Sequence, residues 1–294
     1  MWKNCLRMLR ALNKNIQTFI GCDAEYSNAD IVLFGAPYDC TASFRPGARF
    51  ACNAVRSESF GIETYSPYQD CDLSEIRVFD AGDLELGFGD PVPVLERIEE
   101  FTLRVLKDEK LPVMVGGEHL VTLGAVRAAA KVYDQLHIIV FDAHADTRDE
   151  YLGAKLSHAT VIRRAWELVG DGRIYQFGIR SGDKSEFLWA KNRVYTTKFD
   201  FRGLEDAVNK LAGKPVYLTI DLDILDPSVF PGTGTPEAGG VGFTELLDAI
   251  RQASRLNIVG CDVTELCPVY DSSRASTAVA CKVIRELLLS LGKR

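Results

Sequence analysis

Short apolar runs rich in β-branched and aromatic residues recur along the chain at 31–34, 76–79, 113–115, 138–141, 174–177, 193–195, 216–220 and 258–260. They predict eight strands. Several stay apolar at every position instead of alternating, which is the pattern of strands buried on both faces of a parallel sheet. Between them, apolar residues return at helical spacing over 94–107, 120–133, 158–169, 204–211, 244–254 and 276–291, so helices are predicted there. Ser157 offers the third of these an N-cap and Gly170 a stop. Strand then helix, repeated, predicts an α/β chain: a three-layer α/β/α arrangement around a doubly wound, eight-stranded parallel sheet. No Ser/Gly-rich linker, composition shift or internal repeat divides the sequence, and one domain over residues 1–294 is expected.

Charge narrows the partners. The 294 residues carry 34 Lys plus Arg against 41 Asp plus Glu, a net −7 that repels phosphate backbones and anionic membranes and suits a small cationic substrate. No nucleic acid and no membrane partner are expected, because the apolar runs also fall far short of the ~20 residues a membrane span needs. The eight cysteines are scattered without a C-x-x-C pair and read as reduced thiols, which makes a cytoplasmic location the expectation. The basic N-terminal stretch has no uninterrupted apolar segment and precedes a second methionine, Met8, so residues 1–12 are expected to be a dispensable stub.

In an open α/β sheet, ligands bind beyond the carboxyl ends of the strands, and the residues there are rich in metal ligands. After the run at 138–141 comes Asp142-Ala143-His144-Ala145-Asp146, in which an extended chain would turn all three polar side chains to one side. Asp221-Leu222-Asp223 follows the run at 216–220 with the same spacing, and Asp226-Pro227 is expected to stop that strand. After 113–115 come Gly116-Gly117-Glu118-His119, where paired glycines allow a tight turn that aims an imidazole. Any one Asp at a strand end is commonly a helix cap, but three such clusters place six candidate ligands together: His119, His144, Asp142, Asp146, Asp221 and Asp223. Four converging aspartates need cations to neutralise them. Two imidazoles and four carboxylates, with no thiolate, suit Mn²⁺ better than structural zinc, and six ligands suffice for two ions sharing bridging carboxylates. A two-metal hydrolase with two Mn²⁺ per chain is therefore expected. His137, which opens a strand, is assigned no role.

These motifs resemble the three signatures of the ureohydrolase family, which includes arginase and agmatinase. The resemblance extends through Pro231-Gly232-Thr233-Gly234-Thr235-Pro236, begins at Gly35-Ala36-Pro37-Tyr38-Asp39 and Arg45-Pro46-Gly47-Ala48-Arg49-Phe50, and covers roughly residues 30–290. It implies the arginase-like fold and a binuclear manganese centre that hydrolyses a guanidinium group to urea and an amine. It further implies that His119, Asp142, Asp146 and Asp221 hold one ion and that Asp142, His144, Asp221 and Asp223 hold the other. Asp142 and Asp221 are then the bridges. Asp146 would stabilise the tetrahedral intermediate, and His158, kept neutral by the positive end of its helix, would shuttle a proton to the leaving amine. Glu265 resembles the family's acid that pairs with the guanidinium. Arg45 and Arg49 are expected to order a loop. Homo-oligomers, trimers or hexamers, are the family's habit.

The tail of the substrate decides between activities. The Asn and Ser groups that arginases use for the amino acid's carboxylate are not evident after the second motif, and Ser181 stands where arginases place an acid. Asp149 and Glu150 are expected to attract a terminal ammonium. Agmatinase, producing putrescine and urea, is the leading expectation. Arginase, guanidinobutyrase or another amidinohydrolase and an inactive, metal-retaining partner subunit are the alternatives.

Overall fold

The computed structural model describes residues 17–293. The expectations for residues 1–12, and Cys5, lie outside them. Along the chain run β1 (Ile31–Ala36), α1 (Ala51–Glu58), the short antiparallel pair β2 (Tyr65–Ser66) and β3 (Cys71–Asp72), β4 (Val78–Asp83), α2 (Pro91–Lys107), β5 (Leu111–Gly116), α3 (Thr122–Val132) and β6 (His137–Phe141). Then follow α4 (Val161–Val169), β7 (Ile174–Ile179), α5 (Lys184–Ala190), β8 (Tyr195–Lys198), α6 (Leu204–Leu211), β9 (Pro215–Asp221), α7 (Phe243–Ala253), β10 (Asn257–Thr264) and α8 (Ala275–Gly292). The main sheet has eight strands in the order β4-β1-β5-β10-β9-β6-β7-β8, and every pairing within it is parallel.

Alternate residues of the inner strands feed two cores. Ile139, Phe141, Val216, Leu218 and Ile220 pack with residues of α1, α6, α7 and α8 on one face. Ile138, Val140 and Tyr217 pack with residues of α2, α3 and α4 on the other. Burial of both faces explains why these strands read as continuous apolar runs. Ser157 caps the turn His158–Thr160 that leads into α4, accepting from the Ala159 N–H, and Gly170 ends that helix at φ +83°.

The pattern erred at the margins. Strand β8 lies two residues beyond its predicted run because it is an edge strand whose residues are half-buried or exposed, so solvent replaces the second core. Helices α1 and α5, eight and seven residues long, span barely two turns and were not predicted. Seven cysteines within the described residues are free thiols, as expected. No helix among the described residues is long and apolar enough to cross a membrane.

Candidate metal centre and substrate cavity

The four central strands, β5, β10, β9 and β6, are neighbours, so their carboxyl ends deliver all the candidate ligands to one place. The turn after β5 needs its glycines for space and not for a left-handed backbone, since neither Gly116 nor Gly117 has positive φ. A Cβ on Gly117 would lie 1.9 Å from the Tyr38 carbonyl oxygen, and one on Gly116 2.7 Å from Thr264 Cγ2. The turn is thereby wedged between the loop after β1 and the end of β10, and His119 is buried behind it.

The expected strand alternation does not continue through the ligands. β6 stops at Phe141, and Asp146 turns back at φ +51°, a left-handed conformation that is costly for a residue with a Cβ. Asp221 is followed by a 3₁₀ turn, Leu222–Ile224, which its own carboxylate caps by accepting the Asp223 N–H at 2.9 Å. Asp226 does not stop β9, which has already ended; its carboxylate instead accepts the N–H groups of Gly239 (2.8 Å) and Gly240 (3.1 Å), folding the 226–240 loop back on itself.

The six side chains nevertheless converge. His119 Nδ1 lies 3.1 Å from Asp142 Oδ2, 3.2 Å from Asp146 Oδ2 and 3.4 Å from Asp221 Oδ2. His144 Nδ1 lies 2.8 Å from Asp223 Oδ2 and 3.7 Å from Asp142 Oδ1. Asp142 thus presents one oxygen to each imidazole. Two groups, His119/Asp142/Asp146 and Asp142/His144/Asp223, each hold their ligand atoms within 4.8 Å of one another. Asp221 stands beside the first group through its contact with His119.

Electrostatics match a site built around positive charge. Burial, reinforced by Asp146 and Asp223, pushes Asp142 up to about 7, and burial with Asp223 and Asp142 raises Asp221. Burial opposes a charge on His144, but Asp223 and Asp142 outweigh it and push the imidazole up to about 10. Burial would also raise Asp223, yet His144 holds it below the usual carboxylate range. Asp142 Oδ2 is buried and accepts no hydrogen bond. A carboxylate oxygen left so is expensive unless a cation faces it. The donors, imidazole nitrogen and carboxylate oxygen, fit a hard divalent metal ion.

A cavity of about 250 Å³ opens above this cluster, lined among others by Ser43, His144, Asp146, Arg148, Tyr151, His158, Ser181, Asp183, Glu186, Thr235 and Glu265. Glu265 sits at φ +64° past the end of β10, buried, with Oε1 accepting the His119 N–H at 2.7 Å. Burial and nearby Glu118 raise its pKa. His158 is held by the loop after β1: Thr41 Oγ1 accepts the His158 N–H at 3.0 Å and stands 3.4 Å from Nδ1, while Ser43 Oγ lies 3.3 Å from Nε2. The pKa of His158 is lowered as expected, with burial the largest cause. Asp39 accepts the Gly47 and Arg49 N–H groups and pairs with the Arg49 side chain, while the Arg45 guanidinium lies 5.4 Å from the Tyr270 ring centre. Both arginines order this loop, as expected.

Two expected tail residues are misplaced. Asp149 turns to Arg164 at 2.7 Å and Arg163 at 3.7 Å, with most of its side chain in solvent, and neither it nor the exposed Glu150 lines the cavity. Apart from the ligand cluster and Glu265, the acids that line it are Asp183 and buried Glu186, both bound by Arg148, whose guanidinium also stacks 4.8 Å from the Tyr151 ring centre. They form the capping box of α5, so the D-x-x-E spacing was the available signal. Sequence reasoning also missed Glu118, a buried carboxylate gripped by both the N–H (3.0 Å) and hydroxyl (2.7 Å) of Thr41 and pushed by burial up to about 8.

A family model described as the arginase family matches residues 29–290. The chain belongs to the arginase family. Its arginase-family relatives include the agmatinase of Bacillus subtilis (strain 168), 47% identical over 281 residues that span 94% of this chain and 97% of that protein. A solved structure from Clostridium difficile aligns with a TM-score of 0.89 at 48% identity, covering 92% of this chain and 99% of its own. The agmatine ureohydrolase of Thermoplasma volcanium aligns with a TM-score of 0.87 at 33% identity, covering 98% of both chains. The eight-stranded arginase-family architecture expected from the motifs is thus present.

Proposed function

We propose that this arginase-family chain hydrolyses the guanidinium group of agmatine to putrescine and urea, using two Mn²⁺ held by His119, Asp142, Asp146 and Asp221 and by Asp142, His144, Asp221 and Asp223. The observation that carries the reading is Asp142, whose two oxygens face two separate ligand groups directly beneath a cavity that also holds Glu265. Kinship with the B. subtilis agmatinase supports the choice of agmatine. When bound, the ions supply neutralisation of the aspartates and acidification of a water molecule, which yields a nucleophile near neutral pH.

The chain's own groups supply the rest. A guanidinium is cationic and resonance-stabilised, so it must be positioned and attacked, not protonated further. With Oε1 tied to the His119 N–H, Glu265 retains Oε2 as an acceptor for the guanidinium N–H groups, which fixes the carbon over the cluster. Asp146, within the first ligand group, accepts a hydrogen bond from the attacking water and supports the tetrahedral state. Half-buried and neutral, His158 can pass a proton to the departing amine, and Thr41 and Ser43 hold both faces of that exchange. At the rim, Asp183 offers negative charge for an ammonium tail, and Ser181 lines the path to it. An α-carboxylate there would meet Asp183 and Glu186 with Arg148 already engaged by both. The same reading treats residues 1–294 as one cytoplasmic catalytic domain that assembles as a homo-oligomer.

Urea release from agmatine, arginine, guanidinobutyrate and guanidinopropionate, with metal analysis of the Mn-loaded chain, tests this. The expected result is two manganese ions per chain and a kcat/KM for agmatine at least ~10²-fold above arginine, about 2.7 kcal/mol of discrimination. Equal use of arginine would reject agmatine as substrate, and a single ion or activation by zinc would reject the metal assignment.

A further inference from the structure

Asp262 lies in β10 beneath the cluster, fully buried and without an ion pair among the described residues. The mechanism above leaves it without a task. We propose that Asp262, acting through Thr219, is a positioning residue that fixes the tautomer and the aim of His119, an inference that rests on the reading of His119 as a metal ligand.

The chain of contacts is short and directional. Thr219 on β9 is the register partner of Asp262 on β10. Its hydroxyl donates to Asp262 Oδ1 at 2.6 Å, and the Tyr217 hydroxyl donates to Oδ2 at 2.7 Å. Thr219 Oγ1 also lies 3.0 Å from His119 Nε2. A hydroxyl has one proton, and an ionised carboxylate can only accept. With that proton committed to Asp262, Thr219 can only accept from the imidazole, so Nε2 carries the hydrogen. Nδ1 is left with its lone pair, and Nδ1 is the nitrogen that stands 3.1–3.4 Å from Asp142, Asp146 and Asp221. Thr122 Oγ1, 3.5 Å from Thr219 Oγ1, can donate to the latter's remaining lone pair without reversing this order.

The surroundings are shaped for the relay. Tyr217 reaches Asp262 because residue 260 is glycine: a Cβ there would lie 2.9 Å from Tyr217 Cε2. A negative charge two bonds behind the imidazole also makes Nδ1 a stronger donor to a cation, as outer partners of metal-bound histidines do.

The test is Mn²⁺ titration of the metal-stripped full-length chain, followed by the electron paramagnetic resonance of free Mn²⁺, with the melting temperature of each metal-free variant as the control for folding. Asp262→Asn and Thr219→Val should each weaken manganese binding by roughly 10–100-fold. Tyr217→Phe removes a donor to Asp262 but leaves the His119–Thr219–Asp262 order intact, so its affinity should stay within about threefold of wild type even where its melting temperature falls. Thr219→Val keeps the proposal testable where Asp262→Asn does not fold. Unchanged affinity in folded Asp262→Asn and Thr219→Val overturns the relay, as does an equal loss in all three variants, which would mark general strain. A wild-type chain that takes up no manganese would instead overturn the metal reading beneath it.

Discussion

Replacing Glu265 by glutamine should separate binding from folding with opposite signs. The residue is buried, makes no ion pair among the described residues and uses one oxygen to hold the His119 N–H. Glutamine keeps the shape and an acceptor for that N–H, but cannot offer a negative charge to a guanidinium. Removing one partner of a buried ion pair costs about 3–5 kcal/mol. At 1.36 kcal/mol per decade, kcat/KM for agmatine should fall about 10²- to 10⁴-fold, with manganese content unchanged. Stability should move the other way. Burial, then Glu118, holds the Glu265 carboxyl well above its ordinary range. A carboxyl raised in the folded state contributes stability that is present below its unfolded pKa of about 4.3 and is lost as pH rises through the folded value. Glutamine does not titrate, so in the metal-free chain the variant's melting temperature should gain on wild type as pH rises from 5 to about 8. Steady-state urea release and thermal melts across that range provide both readings. A kcat/KM within about tenfold of wild type, or a variant melting temperature that falls relative to wild type as pH rises, would refute the reasoning.

His158→Ala or His158→Phe should lower kcat by about 10²–10⁴-fold while metal content stays at the wild-type level; loss of metal would show that the residue is a ligand. Thr41→Val should lower kcat by roughly tenfold with Thr41→Ser restoring it, since the hydroxyl both accepts the His158 N–H and faces Nδ1. In a KM series, Asp183→Ala should raise the KM for agmatine and Asp149→Ala should leave it within about twofold, because only the former lines the cavity; the reverse order would restore the sequence-based assignment. Deleting residues 1–12 should leave turnover unchanged, and a large loss would show that they contribute to assembly or to the site.

How far the sequence alone reached depended on how local each signal is. The apolar runs mark every inner strand, because burial on two faces leaves few polar positions, such as Thr219 and Asp262. The ligand motifs sit directly after three of those runs, and parallel strands all end on one side, so six ligands meeting at one sheet edge follows from the sequence. Which strands are neighbours does not. Only the packed order brings β10 between β5 and β9, which sets Glu265 over His119 and pairs Asp262 with Thr219. The loops were equally out of reach. Asp149 reads from the sequence as available to an ammonium, but α4 brings Arg164 against it while α5 carries Asp183 to the cavity. Thr41 and Glu118, 77 residues apart, carry no mutual signal in sequence. Short-range periodicity and strand-end chemistry are written into the chain because each concerns a few consecutive residues. Partners across the sheet, and the choice of which surface acid faces inward, arise only when distant segments close-pack, and that choice is made by the tertiary structure.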